Sequence, residues 1–284
     1  IIILALVLAQ VITKHLVQPI TRMAEHLDCI EANVPYEELI PLAHTVQSDR
    51  KLREDNETIR REFTANVSHE LTSISGYAEL IENGMAKQED IPTFGHRIHK
   101  EAQRMITLVS DILQLSELDG MSKQQENSPT ADFVPVDLGV LVKDVATNMT
   151  VNARKAYITL QYKVQPVTVR GSHDLLTELV TNLCDNAIRY NRPGGKVQII
   201  TACSRDGHCS LTVTDNGIGI PREAQASVFE RFYRVDKSRS KATGGTGLGL
   251  AIVKHIARIH NARIKLESQV DVGTTITVTF PTAS

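Results

Sequence analysis

Residues 182–190 read Asn182-Leu183-Cys184-Asp185-Asn186-Ala187-Ile188-Arg189-Tyr190, the last half of a predicted helix over 173–190. One helical turn separates Asn182 from Asn186, so the two amides share a face. Neutral amide oxygens so placed can meet a Mg²⁺ that keeps several of its waters; polar caps on a buried helix are the other use of such a pair.

Three further motifs follow in the same half of the chain. Asp215-Asn216-Gly217-Ile218-Gly219-Ile220 comes directly after a predicted strand. Asp215 can accept a hydrogen bond from an adenine amino group, or simply form the turn that Asp-Asn-Gly favours. Phe229-Glu230-Arg231-Phe232-Tyr233-Arg234 ends on a cation that can neutralise charge on a γ-phosphate, although most arginines are solvated surface. Gly244-Gly245-Thr246-Gly247-Leu248-Gly249-Leu250 opens a helix. Its glycines allow positive φ and close backbone approach, so amides can face phosphates at the helix start; a plain flexible loop has the same composition.

About a hundred residues upstream, Phe63-Thr64-Ala65-Asn66-Val67-Ser68-His69-Glu70-Leu71 sets a histidine and a carboxylate in an amphipathic helical run. Imidazole titrates nearest neutrality, so His69 can be a neutral nucleophile, with Glu70 orienting it or taking its proton. A solvent-facing helical histidine is the alternative.

Together these motifs resemble the N, G1, F and G2 boxes of sensor histidine kinases, and Ser68-His69-Glu70-Leu71 resembles their H box. The resemblance implies an α+β chain: N-terminal helices, a hairpin that dimerises into a four-helix bundle, and a two-layer GHKL (Bergerat) α/β sandwich. It implies ATP and Mg²⁺ as cofactors, with His69 as phospho-acceptor, Glu70 as base or orienter and Asn186 as metal ligand. Asp215 would anchor adenine and Arg189 and Arg234 would meet phosphates. Asn182, Tyr190, Gly217, Gly219, Thr246 and Leu248 would complete the nucleotide site with Gly245, Gly247 and Gly249, the three glycines also shaping the mobile lid. A response regulator's aspartate would receive the phosphoryl group.

One departure is plain. The family continues its H box with Lys-Thr-Pro-Leu, whereas Leu71 here passes straight to Thr72-Ser73-Ile74. Losing four helical residues shortens the helix by ~6 Å and turns it by ~40°. The missing proline would have kinked the helix and freed a carbonyl. Ser73 stands where the family's phosphatase Thr or Asn would be. Two alternatives to a working kinase follow. A gyrase-like ATPase needs a glutamate base at the position of Asn182, and an amide cannot take a proton. An ATP-binding scaffold with its histidine out of reach is the other.

The remaining sequence fits around these boxes. The chain has 284 residues, 42% hydrophobic and 23% charged, enough for two or three globular units. A net charge of −2 gives no reason to expect nucleic acid as a partner. Ile1 to Ile12 is almost wholly apolar and is followed by Lys14 and His15, like the tail of a transmembrane helix at the cytoplasmic side of a cell membrane. A buried core helix is the alternative. Residues 14–60 read as helix, connector and helix, resembling a HAMP module. Residues 61–121 form the dimerisation and phospho-acceptor unit, ending its first helix at Asn83-Gly84 and its second near Asp119-Gly120. In the second helix Ile98, Ala102, Met105, Val109 and Ile112 make a coiled-coil seam, which predicts a homodimer. Polar residues 122–131 are a linker, and 132–284 are the ATP-binding domain. Its predicted elements are helices over 138–153, 173–190 and 253–260, with strands over 158–164, 167–169, 197–202, 210–214, 264–268 and 274–280. Cys203 and Cys209 flank the Asp206-Gly207 turn and read as strand thiols of a reducing compartment.

Overall fold

A computed structural model describes residues 40–125, 133–204, 206–235 and 245–282, with residues 3, 10, 13 and 14 besides. The expectations for a membrane tail and for a connector within the HAMP-like segment lie outside the described residues. Among the described residues no helix is long and apolar enough to cross a membrane. The chain divides into two compact units, Ile1–Ser68 and His69–Ser284.

Helix α1 (Ile40–Glu82) runs without a break through the H box. No proline interrupts it there. Its end is set as expected: Gly84 adopts φ +65°, and the Met85 N–H reaches back to the Leu80 carbonyl at 3.0 Å. Helix α2 (Ile91–Gln125) continues past Asp119-Gly120, which was expected to stop it. The hairpin is in antiparallel register. Arg97 donates to the Tyr77 hydroxyl at 2.6 Å, and one heptad away Arg104 meets Glu70 at 3.1 Å.

The expected seam of α2 is half-buried at Ile98, Ala102, Met105 and Ile112. Ile106, Val109 and Leu113 remain 59%, 41% and 62% exposed in the single chain, a stripe that a second copy of the hairpin would cover. A second apolar face was not anticipated. Leu115 and Leu118 are buried to 3% and 1% exposure where α2 packs on a helix of the sandwich.

The sandwich layers three helices on a mixed five-stranded sheet of order β2-β4-β5-β7-β6. The helices are α3 (Leu138–Lys155), α4 (His173–Arg189) and α5 (Gly249–Ile259). The strands are β2 (Thr159–Lys163), β4 (Lys196–Cys203), β5 (Cys209–Asp215), β6 (Arg263–Gln269) and β7 (Gly273–Phe280). All were foreseen within a few residues. A further strand, β1 (Val134–Asp137), pairs with β3 (Thr168–Gly171) in a separate small sheet. Asp137 then caps α3, accepting from the Gly139 and Val140 amides. Strand β4 buries alternate residues Val197, Ile199 and Thr201 beneath the helices, as period-two alternation requires.

Cys203 and Cys209 correct the sequence reading. They face each other in register and are joined as a disulfide across the mouth of the β4–β5 hairpin.

Gly273 starts β7 at φ +137°, and a Cβ there would lie 2.0 Å from the Asp215 carbonyl oxygen. Gly273→Ala is expected to destabilise the sandwich by more than ~1 kcal/mol, because both the backbone angle and the contact forbid a side chain. Urea denaturation of the two proteins checks it; equal midpoints and slopes would contradict this packing.

Candidate functional site

Helix α4 faces two ways. Leu176, Leu179, Val180 and Leu183 are buried in the core, while Asn182, Asp185, Asn186 and Arg189 point along the opposite, half-buried side. Asn182 donates its amide N–H to the Glu178 carbonyl at 3.2 Å, which leaves its oxygen directed at the lid. The lid lies directly upon this face. A Cβ on Gly249 would stand 2.8 Å from Asn182 Oδ1 and 3.4 Å from Asn186 Nδ2, and one on Gly245 would stand 3.0 Å from the Tyr190 hydroxyl. A Cβ at either position would make these side chains shift. Gly247 has φ +76° and packs on the Phe232 backbone, so the F-box segment and the lid are also in contact.

Two expected residues act differently from their neighbours. Leu248 is fully buried, so only its backbone can serve a ligand, and its N–H is already shared with Thr246 Oγ1 at 3.3 Å. Arg189 is engaged with Asp185, one turn earlier, at 2.6 Å.

At the other end, Asp215 closes β5 and accepts from the Gly217 amide at 2.8 Å, so the turn reading and an acceptor role coexist in one side chain. Burial pushes the Asp215 carboxyl above the usual carboxylate value, partly countered by amide hydrogen bonds from Gly217 and Thr274. Gly217 and Gly219 are needed for packing: a Cβ would fall 2.4 Å from the Tyr190 carbonyl oxygen and 2.0 Å from that of Gln269. The loop is thereby fastened to the end of α4, and the Ile218 N–H donates to the Tyr190 carbonyl at 3.1 Å.

The F-box arginine feels both the cations and the anions around it. Arg234 is held below the ordinary arginine value by burial and by Arg104, with Arg189 adding to the effect and Tyr190 and Glu70 opposing it. Glu70 itself is 5% exposed and ion-paired with Arg104, so its carboxylate is committed to α2. Ser73 Oγ donates to the His69 carbonyl at 3.1 Å, within the uninterrupted helix.

Sequence reasoning missed the side chains that α2 sends to the sandwich. Asp111 accepts from the lid hydroxyl of Thr246 at 2.6 Å. Gln114 donates to Glu178 on α4. Asp119 takes both 2.7 and 2.8 Å hydrogen bonds from one Arg231 nitrogen, with His255 of α5 at 3.3 Å. An open groove of about 490 Å³ runs along this junction, bordered by Asp111, Thr177, Glu178, Thr181 and Asn182.

The chain matches two families: "His Kinase A (phospho-acceptor) domain" over residues 59–120 and "Histidine kinase-, DNA gyrase B-, and HSP90-like ATPase" over 171–284. It is 40% identical over 230 residues to the sensor-like histidine kinase SenX3 of Mycolicibacterium smegmatis, covering 79% of this chain and 58% of that protein. It is 35% identical to the sensor protein kinase WalK of Staphylococcus saprophyticus, over 85% of this chain and 39% of the relative. The chain thus spans about half the length of these relatives. Among solved structures, histidine kinase ThkA in complex with response regulator protein TrrA has the same fold, with a TM-score of 0.62 at 22% identity over 88% of this chain and 68% of that one.

If Asp215 accepts a hydrogen bond from adenine, adenosine affinity should fall as pH is lowered through its raised pKa, above the range where an ordinary aspartate protonates. Asp215→Asn should weaken binding about tenfold or more and flatten that pH profile. Calorimetric titration at several pH values decides it; a profile unchanged by the substitution would remove Asp215 from the site.

Proposed function

As the chain belongs to the sensor histidine kinase family, we propose that it is an ATP-dependent protein-histidine kinase that phosphorylates His69 and passes the phosphoryl group to an aspartate of a response regulator. The observation that carries this reading is the convergence of Asn182, Asn186 and Tyr190 upon the lid glycines. It occurs in the same compact unit as His69.

Phosphoryl transfer relies on positioning and charge neutralisation more than on covalent chemistry by the protein. Asn186 would hold Mg²⁺. Among the described residues no group of three or more His, Cys, Asp or Glu is arranged as a metal site, and neutral amide oxygens suit a Mg²⁺ that keeps several of its waters. The Arg234 guanidinium would neutralise charge at the γ-phosphate, and Asp215 would orient the base. His69 would attack with a neutral imidazole nitrogen. Glu70, already paired with Arg104, would orient or polarise His69 with the acceptor capacity that its two oxygens leave. The same reading assigns 1–13 to a membrane segment, 14–60 to a HAMP-like relay, 61–121 to a homodimerising hairpin and 132–284 to nucleotide binding. It rests there on the apolar run Ile1–Ile12, the exposed α2 stripe and the motif order.

The missing tetrad favours a second reading, an ATP-binding scaffold. With Glu70 opposite Arg104, His69 stands level with Met105. The lid hydroxyl is fastened to Asp111, six positions further along α2, or ~9 Å. Restoring Lys-Thr-Pro-Leu between Leu71 and Thr72, with the lower hairpin unchanged, would raise His69 by four positions to within ~3 Å of that level.

The decisive measurement is labelling with γ-labelled ATP and Mg²⁺. The chain should acquire an acid-labile, base-stable label that His69→Ala abolishes while nucleotide binding persists. Labelling only in the variant with the tetrad restored would establish the scaffold instead. Asn186→Ala should remove Mg²⁺-dependent ATP binding; unchanged affinity would discredit the metal assignment.

A further inference from the structure

Asp111 is carried by the hairpin, not by the sandwich, yet it meets the lid at Thr246. We propose that Asp111 is a positioning residue that holds the lid closed by standing in for a nucleotide phosphate, so that ATP must displace it, and α2 with it, to bind. This deepens the reading above and rests on it.

Four observations meet at this carboxylate. Thr246 has one hydroxyl proton, and it is directed at Asp111; it cannot at the same time be donated to a phosphate oxygen. Asp111 lies in the attractive field of Arg189 and the repulsive field of Asp185, which is the environment an anion would meet at this end of α4. The lid it secures is already against Asn182, Asn186 and Tyr190, so close that a Cβ at Gly249 or Gly245 would make those side chains shift. Burial of Asp111 is substantial enough to raise its pKa, although the Thr246 and Arg189 interactions oppose the shift. A negative group held in that position repels a triphosphate more than a diphosphate, and does not act on an uncharged nucleoside.

The coupling runs both ways. If ATP weakens the Asp111–Thr246 contact, then anything that draws α2 away from the sandwich strengthens ATP binding by the same factor. The Gln114–Glu178 and Asp119–Arg231 contacts lie on the same side of α2 and would be released together.

The test uses the full chain, with affinities for ATP, ADP and adenosine measured by calorimetry. Asp111→Asn keeps the shape and an acceptor oxygen but removes the charge. The expected result is ATP binding tightened by about tenfold, ADP by less, and adenosine unchanged, because the repulsion removed acts on phosphate charge alone. Asp111→Glu, which keeps the charge, should remain close to the parent protein. Unchanged or weaker ATP binding in Asp111→Asn overturns the proposal, since weaker binding would mean that Asp111 serves the nucleotide. An equal change for all three ligands overturns it too, by showing a purely structural role. If neither protein binds any of the three, the nucleotide reading itself fails, and that outcome is distinct from parent and variant binding ATP alike.

Discussion

The period of one helix governs the candidate site. Helix α4 buries Leu176, Leu179, Val180 and Leu183 against the sheet, and each such side chain stabilises the fold by roughly 1.5–3 kcal/mol. Because 3.6 residues make a turn, fixing that face fixes the opposite one, where Asn182, Asn186 and Arg189 lie. The amides are thus aimed by core packing and need no support from the lid. The lid glycines need the amides instead, since they close only against a surface that is already in place.

Helix α2 faces a comparable constraint with three demands upon it. One side pairs with α1 through Glu70–Arg104 and Tyr77–Arg97, a second leaves Ile106, Val109 and Leu113 open, and a third buries Leu115 and Leu118 against the sandwich. The polar residues Lys100, Gln103, Thr107, Ser110 and Glu117 make up the exposed remainder of its surface. Polar contacts at Asp111, Gln114 and Asp119 then select the docked arrangement among the many that apolar burial alone would allow. Asp119 shows the cost of such selection: its partner His255 is driven below the ordinary histidine value by burial and by Arg231, while Asp119 works against both.

What could be read beforehand follows from locality. The helices α3 and α4 and the β4–β5 hairpin were legible because apolar period, cap and turn residues lie close together, as at Asp206-Gly207. The four residues of β1 were not, since Val134–Asp137 includes a proline and is defined by pairing with residues 168–171. Asp111 and Gln114 carried no signal of their own, and Asp119 read only as part of the Asp119-Gly120 helix end. Their partners lie 135, 64 and 112 residues away, and no pattern within α2 points to them. The seam of α2 was found, but a seam accounts for one face only. Cys203 and Cys209 are a related case: their spacing announced a hairpin, while the bond between them depends on direct cross-strand register.

That bond has a mechanical consequence. Strands β4 and β5 are joined covalently at one end, Cys203 to Cys209, while Asp215 sits at the other, opposite Val197. A hairpin that slips by a single residue turns every side chain to the other face. Tethering the mouth acts as a stop against that slip, so the carboxylate six residues away stays in phase with the helices rather than with solvent. With the thiols reduced, the same phase would be kept only by hydrogen bonds and side-chain packing.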